Sequence, residues 1–230
     1  MDFFDSLIKD VHALTDNLQP KSYDYNEENA REDLGYNQVI LQRDSAYELS
    51  GTGFNLVTSS DVKQGIVVVG KDMQSIKKNQ PFARISVVQI DEQSDEQSAY
   101  NLIRKIEYVK YHYFPEGYMI RTTSRSHKES VRVSKKSLKN GMNFEQVGSL
   151  LISRYKQIPQ VKNVCVIFIT DENADFSFFE KLAKKNNDIT ETLNHIMNNV
   201  VFDCDTCNLK AVCDEVEGLK ELHFKNRMGM

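Results

Sequence analysis

The sequence predicts an α+β fold, a mixed or largely antiparallel sheet covered by helices. Three observations carry this. Short β-branched runs bounded by Gly, Asn, Asp or Pro recur from residue 37 onward. Longer stretches between and around them space their apolar residues by three and four. The order is β-rich, helix, strands, helix, strand, helices, which favours a mixed sheet covered by helices.

The first element is an amphipathic helix over 2–18, where Phe4, Leu7, Val11, Leu14 and Leu18 form one stripe and Pro20 follows as a stop. This N-terminal helical arm is read as packing on the chain's own core, with docking on a second copy as the alternative. The polar segment to residue 36 reads as a linker. Strands are expected at 39–41, 54–58, 66–69 and 84–90, then a helix over 94–112 broken by Pro115-Glu116-Gly117. Strands at 118–123 and 130–133 flank a polar turn. A helix follows over 143–158, with Phe144, Val147, Leu150, Leu151 and Tyr155 inward. The run Val-Cys-Val-Ile-Phe-Ile-Thr at 164–170 is the most apolar, and should be a central strand buried on both faces. Two further helices are expected at 176–185 and 189–200. The organisation is thus an N-terminal helix and linker (1–36), an α+β domain (37–200) and a Cys-rich tail (201–230).

Composition narrows the function classes. Of 230 residues, 40% are hydrophobic and 27% charged, as in a folded globular chain. The net charge of −4 argues against a bulk nucleic-acid binder. No apolar run approaches the roughly 18 residues of a membrane span, and acids interrupt the N-terminus, so a cytoplasmic location is expected. There cysteines stay reduced and serve as metal ligands or core residues.

Three of the four cysteines stand together as Cys204-Asp-Thr-Cys207-Asn-Leu-Lys-Ala-Val-Cys213. The spacing C-x2-C-x5-C brings two thiolates to one turn and a third one short helical turn later. Iron–sulfur clusters are held by thiolates at such spacings, and a [4Fe–4S] cluster is the reading preferred here. Zinc is the alternative: Cys204, Cys207, Cys213 and His223 would make a Cys₃His structural site. His223, Asp203, Asp214, a partner's residue or a small molecule are candidates for the fourth position. Cys165, within the most apolar run, reads as a core residue. His12 and His195 read as ordinary helix histidines.

A second feature is basic. Residues 121–139 hold seven Lys or Arg against the single acid Glu129. Arg121, Arg125 and Lys128 flank a Thr/Ser-rich turn, and with Arg132 they form a candidate anion site for a phosphate or carboxylate ligand. Solvated lysines blunting a strand edge are the plain alternative. Neither G-x-G-x-x-G nor G-x-x-x-x-G-K-[ST] occurs, so nucleotide-triphosphate hydrolysis is unsupported.

Between 131 and 172 the run Val-Arg-Val-Ser-Lys-Lys-Ser-Leu-Lys-Asn-Gly-Met-Asn-Phe, a helix, and then Val-Lys-Asn-Val-Cys-Val-Ile-Phe-Ile-Thr-Asp-Glu resemble the middle domain of acetyl-CoA synthase. That protein is the β subunit of the carbon monoxide dehydrogenase/acetyl-CoA synthase complex. The resemblance implies an α+β fold, an anaerobic setting, and a cysteine-rich segment holding a metal–sulfur centre. It also implies arginines that bind coenzyme A; Arg121, Arg125 and Arg132 are this chain's arginines for such a role, without a residue-by-residue match. The family's cluster uses four cysteines over a longer stretch, and a Cys-Gly-Cys tripeptide for an extra nickel. This sequence has no Cys-Gly-Cys, and with its last residue at Met230 the domain that assembles acetyl-CoA is expected to be missing. The expectation is therefore an accessory or electron-transfer iron–sulfur protein of one-carbon and acetyl metabolism, with a protein partner or a second copy. Such a chain is not expected to make acetyl-CoA alone. A zinc-stapled interaction module and a small enzyme with an open cluster corner beside an anionic ligand are the alternatives.

Overall fold

Seven strands form a single sheet in the order β1-β3-β7-β4-β2-β6-β5. The computed structural model describes residues 3–30, 45–76, 80–93, 95–112, 121–123, 128–134, 138–198, 200 and 203–228. The strands are β1 (Lys21–Tyr23), β2 (Ser45–Thr58), β3 (Gly65–Val69), β4 (Gln80–Ile90), β5 (Arg121–Thr123), β6 (Lys128–Ser134) and β7 (Val161–Ile169). Pairs β2/β4 and β3/β7 run parallel, and the other four pairings are antiparallel. The predicted mixed sheet under helices is therefore what forms. No described helix is long and apolar enough to cross a membrane.

The most apolar run lies where its composition puts it. β7 sits between β3 and β4, with Val164 to Ile169 all buried, because helices cover both faces. Helix α1 is Asp5–Asp16, α2 Glu96–His112, α3 Phe144–Lys156 and α4 Phe176–Met197. Asn55 of β2 accepts from the Tyr155 hydroxyl of α3 at 2.8 Å, and the Thr58 hydroxyl donates to Asp5 of α1 at 2.8 Å. Positions 55 and 58 have opposite parity on one strand, so α3 and α1 lie on opposite faces. Helix α4 packs beside α1 against β2 and β4.

On the α3 face, Phe144 stacks on Phe168 at 4.5 Å between ring centres, with Phe82 alongside. The start of α3 is set by a capping box, in which Asn143 accepts from the Gln146 backbone and the Gln146 side chain accepts from the Asn143 backbone. On the other face Phe4, Leu7 and Val11 of α1 are buried in the common core, so the helix packs on its own chain.

Three sequence expectations change. Residues 21–23, read as linker, pair with β3 as the edge strand β1. The strand expected at 54–58 is the end of the 14-residue β2; the one expected at 39–41 falls outside the described residues, as does 118–120. Finally, α4 is one helix of 22 residues, not two. The polar run Asn186-Asn187-Asp188 resembles a break, yet Asn186 lies on the stripe that joins Phe179, Leu182, Ala183, Ile189, Leu193 and Ile196 and is buried with them. Continuity of the apolar face outweighs the weak helix propensity of three polar residues.

Candidate metal centre

Helix α4 is the platform on which the cysteine segment folds. Asp175 caps its start by accepting from the Phe178 backbone, and its stripe anchors it on the sheet. At its far end Asn194 accepts from the Tyr100 hydroxyl and from Arg104, both on α2, fixing the last turn. The chain then reverses. Asp203 organises the turn by accepting from the Asp205 backbone at 3.0 Å through its side chain and from Thr206 at 3.2 Å through its carbonyl. Helix α5 (Lys210–Glu215) and helix α6 (Leu219–Met228) follow. They are joined at Gly218, whose φ of +86° suits glycine. Leu209, Val212, Val216, Leu219 and Leu222 are buried, and both short helices pack on α4.

This packing brings the three tail cysteines together. Cys204 lies in the turn, Cys207 precedes α5 and Cys213 lies within it, and all three line one cavity of about 190 Å³. Thr192, His195 and Ile196 of α4 form one wall, and Lys220, His223 and Phe224 another. All three cysteines are free thiols and partly exposed.

The local electrostatics reflect the crowding. Burial pushes the Cys213 thiol above its ordinary range, and the neighbouring Cys207, Asp214 and Cys204 push the same way. The Thr192 hydroxyl opposes them. That hydroxyl has one proton, which it donates to the Asp188 carbonyl at 2.7 Å; a thiolate at Cys213 would compete for it. At the rim Lys220 donates to Asp214 at 2.9 Å, holding that carboxyl below its usual range, and Lys220 also lies within the field of Cys204.

Among the described residues, no three His, Cys, Asp or Glu side chains converge on a point where one metal ion could sit. Three thiols and two imidazoles nevertheless line the one cavity, and those donor types are the ligands of zinc and of iron–sulfur clusters alike.

The predicted site residues fare differently. Cys204, Cys207, Cys213 and His223 share the cavity, and Asp214 stands on its edge. Asp203 shapes the turn. His195, read as an ordinary helix histidine, lies in the cavity wall. No spacing rule points to it, because it precedes Cys204 by nine residues and reaches the site only through the chain reversal. Cys165 is buried in β7, as expected of a core residue, and desolvation pushes its thiol up to about 11. Of the basic residues, Arg121 lies on β5 and Lys128 and Arg132 on β6, where the register sets Arg121 beside Val131 and Arg132 beside Glu48. Arg125 falls outside the described residues.

Fold and cavity define a class: a mixed α+β protein with a thiol- and imidazole-lined cavity built by a short C-terminal segment. The model of the family "CO dehydrogenase/acetyl-CoA synthase complex beta subunit" matches residues 24–174, and the chain belongs to that family. The match takes in β2 to β7 with α2 and α3, and stops before α4 and the three tail cysteines. No curated protein matches the chain.

Proposed function

We propose that this chain is an iron–sulfur accessory protein of its family, holding a [4Fe–4S] cluster on Cys204, Cys207 and Cys213 and exchanging electrons with a protein partner. The family is named for a subunit of a complex, which supports a partner chain. One observation carries the metal site: the three tail thiols line one cavity together with two imidazoles. Closely spaced cysteine thiolates of this kind hold iron–sulfur clusters, and that donor chemistry is the ground for preferring a cluster to zinc. Bound there, the cluster would supply one-electron chemistry. The three cysteines would hold it, and Ile196 and Leu209 would screen it from water. The 201–230 segment is then a metal-binding appendage on the family domain, in a cytoplasmic, anaerobic setting.

The test is metal and sulfide analysis of anaerobically purified protein, with its visible spectrum. The expected result is iron and acid-labile sulfide at about four each per chain, with broad brown absorption, all lost in Cys213→Ser. Zinc without sulfide would replace this reading by a zinc-stapled interaction module, in which His223 completes a Cys₃His site.

A further inference from the structure

Three cysteines leave one corner of the cluster without a thiolate, and two imidazoles face the same cavity. His223 sits on the ten-residue α6, while His195 sits in the last turn of α4, the helix anchored on the sheet. Two features separate them. Thr192 lies against Cys213, and His195 is three residues further along the same helix, on the same face. The His195 Nε2 also stands 3.9 Å from Glu191 Oε1, one turn back. Metal-bound histidines commonly turn their second nitrogen to a carboxylate, which orients the ring and strengthens it as a donor.

We infer that His195 supplies the fourth cluster ligand through the ring nitrogen turned away from Glu191, with Glu191 as its positioning residue. The inference rests on the cluster reading above and names the side chain that completes it. The site is then Cys₃His, assembled from α4 and the tail together. Imidazole in place of thiolate removes a negative charge and raises the potential. An accessory electron carrier built this way accepts electrons more readily than an all-cysteine site in the same cavity.

The experiment uses the full chain, purified anaerobically with its metal, reduced, and examined by pulsed electron paramagnetic resonance. Wild type and His223→Ala are expected to show imidazole nitrogen coupling. His195→Cys, which keeps a ligand at the corner, should retain iron and sulfide, lose the coupling and shift to a lower midpoint potential. Glu191→Gln should keep the coupling and shift the potential upward; an unchanged potential removes Glu191 from the assignment. If His195→Cys sheds its cluster while His223→Cys keeps it, with far-ultraviolet circular dichroism unchanged, the inference also stands. Coupling that survives in His195→Cys, is lost in His223→Ala, or is missing from an iron-loaded wild type overturns it and leaves the cluster reading intact. A wild type without iron and sulfide overturns both.

Discussion

The two kinds of cysteine in this chain differ in what surrounds the sulfur. Cys165 is packed in β7, 8% exposed, with its thiol at about 11; the tail cysteines border a cavity that opens to the surface. Against an ordinary value of 9.0, a pKa of about 11 leaves about a hundredfold less thiolate at pH 8. In metal-free protein, iodoacetamide at pH 8 should therefore alkylate Cys204 and Cys207 while Cys165 stays unmodified until the chain is unfolded, as read by peptide mass spectrometry. The same burial has a pH consequence. The folded state holds the proton more tightly than the unfolded chain, so Cys165 lends its full stability below about pH 9. That contribution is lost as pH rises through 9 toward 11. Replacing Cys165 by Ala should flatten the alkaline limb of the stability profile.

At the scale of the element, helix α3 shows how a sheet dictates residue size. A Cβ at Gly148 would lie 2.4 Å from Ile66 Cγ1 of β3, so the helix seats closely only because the side chain is absent. Glycine within a helix costs about 1 kcal/mol relative to alanine, whereas forcing atoms into a filled core costs about 1–3 kcal/mol. The clash wins. Gly148→Ala should destabilise the protein by up to about 2 kcal/mol in urea titration, and restoring room with Ile66→Val should recover part of the loss. Helix α4 follows the same logic in the other direction. Its polar Asn186-Asn187-Asp188 run survives as helix because the buried stripe continues through it.

Across the whole molecule, one core joins α1, both faces of the sheet and the tail helices. Leu7 of α1 and Leu222 of α6 belong to the same buried cluster although they lie at opposite ends of the described chain. Leu7→Ala should therefore cost about 2–5 kcal/mol and lower the thermal midpoint in a single transition, rather than melt α1 alone. A separate early transition for α1 would show that the N-terminal helix is an independent arm. The same continuity seats the cysteine turn on a helix that is itself fixed to the sheet.

Local patterning by itself determined much of this protein. The apolar stripes of α1 and α3, the buried run of β7 and the resemblance at 131–172 were all legible, because period, β-branching and runs of neighbours are properties of adjacent residues. The C-x2-C-x5-C cluster was legible for the same reason. Tertiary structure alone decided the rest. β1 gains its strand from pairing with β3, 44 residues or so downstream, and a three-residue run with Tyr23 as its one strand former is too short to signal a strand without that partner. Asn186 stays helical because of what it packs against. His195 joins the cysteines only because the chain reverses after α4, so its place in the cavity comes from packing between segments that no spacing in the sequence connects.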